Sequence, residues 1–82
     1  MSGLTLDQLE IGCPAVVSRL NAQGATRDRL MDLGILPGTP VLAEFRSPLG
    51  DPVAYRIRGA LIALRRKQAC EIEIRLVEGR PS

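Results

Sequence analysis

The sequence predicts a mainly β domain, a small barrel of about five short strands with one short helix. Apolar and charged residues alternate cleanly over 53–58 and 71–76, the period-2 pattern of half-buried strands. Glycine and proline break the chain at short intervals, leaving segments of five to seven residues. Only one stretch, 26–34, carries helix start and stop signals of any length.

Taken in order, Thr5-Leu6-Asp7-Gln8 fits a T-x-x-Q capping box opening one helical turn, with Leu6 and Leu9 inward and Gly12 ending it. Pro14 to Leu20 (PAVVSRL) is β-branched and short, the first strand. Asn21 to Gly24 is loop chemistry. The helix follows, with Thr26 as N-cap and Asp28 in the first turn, where a negative charge favours the helix dipole. Leu30 and Leu33 share a face, and Gly34 suits the C′ position, where a left-handed residue costs least without a β-carbon. A Schellman cap there would place Ile35 against Leu30. Two turns do not hold alone in water, so this helix must lie against the sheet.

Leu36-Pro37-Gly38-Thr39 reads as a type II turn, Pro37 presetting φ and Gly38 supplying a positive one. Val41 to Ser47 is a strand, broken by Pro48-Leu49-Gly50-Asp51-Pro52; Pro52 pushes Asp51 toward extended geometry. Val53 to Arg58 sends Val53, Tyr55 and Ile57 inward, with Arg56 and Arg58 outward. Gly59 allows a bulge or sharp bend before the strand Ala60 to Arg65. Arg66 to Ala69 makes a single helical turn, and Glu71 to Leu76 a last strand with Ile72, Ile74 and Leu76 inward. The domain core is expected over about 4–77, with a frayed tail over 78–82 in a single 82-residue domain. Short strands and tight turns favour closure, which removes exposed edges. An SH3-like barrel fits best, and a small OB-like barrel is the nearest rival.

A chain of this length buries only roughly 60–65% of the surface it exposes when unfolded, so the core is thin. Phe45 and Tyr55 are its only aromatics, and the core must be aliphatic. The formal net charge of +2 does not by itself imply a polyanionic partner. The distribution says more. Arg46, Arg56, Arg58, Arg65, Arg66 and Lys67 face Asp51 alone between 46 and 67, and arginine suits bidentate contact to carboxylate or phosphate. The simpler reading is a solvated face whose arginine stems cover apolar surface.

The first ten residues lack the basic and long apolar regions of a signal peptide. The longest uncharged stretch, Leu33 to Ala43, holds two glycines and two prolines and is far shorter than the ~20 apolar residues of a membrane helix. Nothing in it suggests insertion into a bilayer. Cys13 and Cys70 have no CxxC spacing and read as small buried hydrophobes. Without histidine, the chain has too few strong ligands for a conventional zinc or ferrous site, so neither metal residues nor a cofactor are expected.

No nucleophile and base stand out, nor a Gly-x-Ser-x-Gly elbow or a phosphate loop, so no catalytic residue is named and an enzyme is not expected. Glu71 and Glu73 share a strand face, and a solvated face explains them more simply than an acid–base pair. Single-strand nucleic-acid binding needs stacking platforms; Phe45 and Tyr55 are the only candidates and Tyr55 points inward, so nucleic acid is not the expected partner.

Three segments, in order and at the right spacing, carry a family resemblance. Arg29-Leu30-Met31-Asp32-Leu33-Gly34-Ile35-Leu36-Pro37-Gly38 looks like an RL-x-x-LG-hydrophobic-x-PG motif. Ser47 to Pro52 carries PLGDP, and Leu64-Arg65-Arg66-Lys67 with Ile72 and Ile74 is similar to the family's ending. Each is ordinary turn chemistry; in series they are specific. Together the chain resembles the FeoA family, ferrous-iron transport protein A. That resemblance implies a small SH3-like, non-enzymatic, bacterial cytoplasmic accessory of ferrous-iron uptake. It also implies a partner, the cytosolic GTP-binding region of the FeoB membrane transporter, through which the protein is recruited to the inner membrane. Members are catalogued as transition-metal binding. The same module occurs in metal-dependent repressors, so the alternative is a metal-responsive regulatory interaction module without a transporter.

Partner contact is expected at the rigid loop Pro48, Leu49, Gly50, Asp51 and Pro52, with its apolar tip at Leu49, and at Arg65 and Arg66, which could steer an acidic surface. The plain alternatives are a hairpin connection and a solvated face. Gly34, Pro37 and Gly38 are assigned a structural cap-and-turn role. The sequence is also compatible with a monomer or a weak, strand-paired homo-oligomer.

Overall fold

A computed structural model describes residues 4–77. A two-residue strand, β1 (Leu4–Thr5), leads into a 3-10 turn over Leu6–Gln8. Strand β2 (Pro14–Leu20) is followed by helix α1 (Gly24–Asp32), β3 (Pro40–Arg46), β4 (Val53–Ile57) and β5 (Ala60–Leu64). A one-turn helix, α2 (Arg66–Ala69), precedes β6 (Ile72–Leu76). All pairings are antiparallel, in the order β1-β6-β2-β3-β4-β5.

The sheet therefore has six strands rather than five, and its end strands β1 and β5 are not paired with each other. It is a curled, barrel-like sheet that stops short of closure. The extra strand is β1, whose Leu4 and Thr5 sit opposite Ile74 and Glu73. Two residues carry no periodicity, and only the partner strand makes them a strand. Curvature comes from two β-bulges, between Val17 and Arg19 on β2 and between Ala43 and Phe45 on β3, since a bulge bends its strand and increases the twist.

The core is aliphatic with one exception. Leu6, Leu30, Ile35, Ile57, Leu64, Ile72 and Ile74 are buried around Tyr55, whose hydroxyl donates to the Leu6 carbonyl at 3.3 Å. Gln8 reaches back to the Thr5 N–H at 2.9 Å, completing that half of the box expected from T-x-x-Q. The Schellman cap is present: the Ile35 N–H donates to Leu30 C=O (3.0 Å) and Gly34 N–H to Met31 C=O (2.9 Å), with Gly34 at φ +93. Both Leu30 and Ile35 are fully buried. The turn at 36–39 closes through Thr39 N–H to Leu36 C=O at 2.9 Å, with Gly38 at φ +93, as its Pro-Gly pair requires.

Several expectations are corrected. Helix α1 starts two residues before Thr26: Gln23 takes the extended N-cap position and its carbonyl accepts from Arg27 N–H at 3.5 Å. Thr26 and Asp28 thus lie inside the helix rather than at its cap and in its first turn. Leu33, at the helix C-cap, is exposed while Leu30 is buried. The β4–β5 connection is a two-residue hairpin of Arg58 (φ 53) and Gly59 (φ 82); two positive φ values match a type I′ turn, whose twist suits a hairpin. Leu76, the last residue of β6, is 52% exposed although Ile72 and Ile74 are buried and although it pairs with the buried Ala15. Cys70 is exposed and Cys13 half-buried against the core, both free thiols, so the reading of two buried cysteines is only partly right. The tail expected to fray lies outside the described residues.

Candidate functional site

The segment 47–52 is a tight connection between β3 and β4. Ser47 N–H donates to Pro52 C=O at 3.0 Å and Gly50 N–H to Ser47 C=O at 2.8 Å, drawing the two ends together. Gly50 takes φ +90, a conformation a β-carbon would disfavour. Leu49 then has nowhere to pack and stands 93% exposed at the tip.

The loop does not stand alone. Asp51 Oδ1 accepts from the Arg66 backbone N–H at 2.8 Å, and its other oxygen lies 3.9 Å from the Arg65 guanidinium. Arg66 is the first residue of α2, where backbone N–H groups lack helical partners, so the carboxylate caps the helix from beside the start of the neighbouring strand β4. Gln68 supplies a further acceptor at the same helix start, taking the Arg65 N–H at 3.0 Å. Every residue proposed for partner contact, Pro48 to Pro52 with Arg65 and Arg66, therefore meets at one corner. Gly34, Pro37 and Gly38 occupy the cap and turn at another part of the fold.

Behind the loop, Asp7, Arg46, Asp51 and Arg66 surround the buried face of Tyr55. Burial pushes the Tyr55 hydroxyl up to about 12, with Asp7 and Asp51 adding to the rise and Arg46 opposing it. A shallow groove of about 530 Å³ runs between α1 and α2, with Arg29, Arg65 and Lys67 beside Glu71. Three cations against one carboxylate make it suited to acidic side chains of another protein. Sequence reasoning missed Arg29, because only the packing of α1 beside α2 brings it to Arg65. It also assigned no role to Phe45 beyond a weak stacking candidate; Phe45 is 54% exposed while Tyr55 is buried.

Among the described residues, no three or more His, Cys, Asp or Glu side chains gather as a metal-holding group, and no helix is long and apolar enough to cross a membrane.

Residues 4–76 match the model of the FeoA domain. An Fe(2+) transport protein A/Fe(2+) transporter FeoB fusion protein of Porphyromonas gingivalis is 35% identical over 74 residues, covering 90% of this chain and 9% of the relative. The chain thus spans less than a tenth of that curated relative. The solution structure of iron(II) transport protein A from Clostridium thermocellum superposes with a TM-score of 0.88 at 34% identity, over 93% of this chain and 47% of the other. A zinc-complexed FeoA from Stenotrophomonas maltophilia, described as a procaryotic SH3 domain protein and a candidate activating factor of ferrous iron transport, superposes at 0.77 with 28% identity, over 87% of this chain and 88% of the other. The SH3-like expectation is met, with an open seam in place of full closure. On its motifs, its sheet and these likenesses, the chain belongs to the FeoA family, a family of iron transport.

Proposed function

We propose that this chain is a non-enzymatic cytosolic accessory of bacterial ferrous-iron uptake that binds the GTP-binding region of an FeoB-type transporter, and so works at the inner membrane. The observation that carries the reading is the corner in which Asp51 ties the Leu49 loop to Arg65 and Arg66. It presents an apolar tip beside cations on a pinned backbone, so little loop entropy is lost on binding. The fusion relative supports the choice of partner, since there an A component and a transporter share one polypeptide.

The arrangement suits recognition rather than chemistry. Leu49 offers burial, and the arginines offer steering toward carboxylates and partner choice. Titration calorimetry with the cytosolic region of an FeoB-type transporter, with and without guanine nucleotide, tests the reading. Saturable binding is expected; no binding in any nucleotide state would overturn it.

A further inference from the structure

Strict alternation along β3 would bury Phe45. Val41 and Ala43 both face the core, and Phe45 is next in that series. The structure interrupts it. Up to Ala43 the strands pair residue for residue, Ala43 opposite Tyr55; then Glu44 and Phe45 together oppose Ala54. That bulge moves Phe45 onto the outer face, the known effect of one extra residue on side-chain direction. The chain's only phenylalanine is thereby kept out of a thin core that would gain from it, and more than half its surface stays in solvent.

Its surroundings are apolar too. Phe45 lies opposite Ala54, which lies opposite Ala63 on β5, and Ala63 is exposed. Leu61, two residues along β5 on the same face, is 46% exposed. Beyond Ala63 the chain runs to Arg65, whose guanidinium lies 3.9 Å from Asp51, so this face adjoins the corner that carries Leu49. The rim is basic, and its carboxylates are occupied. Glu44 is held by Arg56 at 2.7 Å and Asp51 by Arg66 N–H at 2.8 Å, while Arg65, two residues past Ala63, is 66% exposed, and Arg58 at the β4–β5 turn has no carboxylate within 4.0 Å among the described residues.

From this we infer that Phe45 is the anchor of a second, apolar half of the partner surface, on the outer face of β3, β4 and β5. Its occupant is an apolar patch flanked by carboxylates on the same protein that the Leu49 loop engages, so the inference rests on the function proposed above. An aromatic anchor at the centre of an interface, ringed by weaker contacts, is where binding energy concentrates. The basic rim selects the acidic flanks and opposes pairing with a second copy, which would bring like charges together.

Calorimetry on the full chain, with an FeoB-type cytosolic region as probe, decides it. F45A is expected to weaken binding by about 30-fold or more, as for a buried aromatic anchor, and L61S by a smaller factor. Melting temperatures should stay near that of the wild type. F45Q, whose stem still covers Ala54, separates lost contact from loosened packing and should weaken binding as F45A does. If the wild type binds and L49D abolishes binding while F45A and F45Q bind like the wild type, the inference falls and the proposed function stands. If the wild type does not bind, both fall. A concentration-dependent wild-type dimer that F45A makes monomeric, with transporter binding untouched, would assign the face to a second copy and overturn the inference.

Discussion

The Asp51 carboxylate accepts the backbone N–H of Arg66 at 2.8 Å, across fifteen residues of chain. One hydrogen bond thus fixes both the exit of the Leu49 loop and the start of the helical turn that carries Arg65 and Arg66. A helix of one turn has no cooperative reserve, so its first N–H groups depend on such acceptors.

Replacing Asp51 by alanine removes that acceptor. A stability loss of about 1 kcal/mol is expected, the usual cost of a lost cap. The D51N variant keeps an acceptor oxygen and should recover most of it. Thermal denaturation compares the three proteins, and equal melting of D51A and the wild type would show that water replaces the carboxylate without cost. Transporter affinity should fall in D51A as well, because Leu49 loses the mount that holds it beside Arg65.

Gly34 is constrained twice. Its φ of +93 is left-handed territory, and a β-carbon there would meet Arg58 Cδ at 2.9 Å. The G34A variant should lose on the order of 1–3 kcal/mol from strain and from displacement of the Arg58 stem. Removing the stem as well, in G34A/R58A, should recover only the steric part. Chemical denaturation of the two variants against R58A alone measures both contributions; full recovery in the double variant would mean that the backbone conformation costs nothing.

These two residues also mark what the sequence could and could not disclose. Gly34 was legible because a helix C-cap is local: Leu30, Gly34 and Ile35 announce the Schellman motif within six residues. The alternating strands were legible for the same reason. The seam at β1, the bulge that turns Phe45 outward and the positive φ of Arg58 depend on partners many positions away. In the candidate site, the PLGDP loop and the Arg65–Arg66 pair could each be picked out, but only the β4–β5 hairpin brings Asp51 to Arg66. Arg29 carries no local signal of its place in the α1–α2 groove.

Leu49 is solvated and contributes almost nothing to the core, so L49D should fold and melt like the wild type. Binding of the transporter's cytosolic region should be abolished, because a carboxylate at the tip would be desolvated without a partner. Circular dichroism and calorimetry on the same sample provide both readings. Retained affinity would remove the loop from the interface.

Tyr55 gives the fold a pH limit at the alkaline end. It is the only tyrosine, the chain has no tryptophan, and its hydroxyl is buried with the proton directed at the Leu6 carbonyl. Burial raises its ionisation from 10.0 to about 12. The folded state therefore holds this proton more tightly than the unfolded state does. Its stabilising contribution is complete below pH 10, falls as pH rises through the window from 10 to about 12, and is lost above it. Two units of separation correspond to at most about 3 kcal/mol, a large share of the stability of a domain this small. Absorbance near the tyrosinate band, followed through an alkaline titration, should show a midpoint well above 10 that coincides with loss of β-sheet signal. In Y55F the ring remains but no group ionises, so the same decline should be absent at the expense of the single hydrogen bond to Leu6. A wild-type midpoint near 10 with the fold intact would mean that water reaches the hydroxyl, and the core around Leu6 would then be looser than its packing implies.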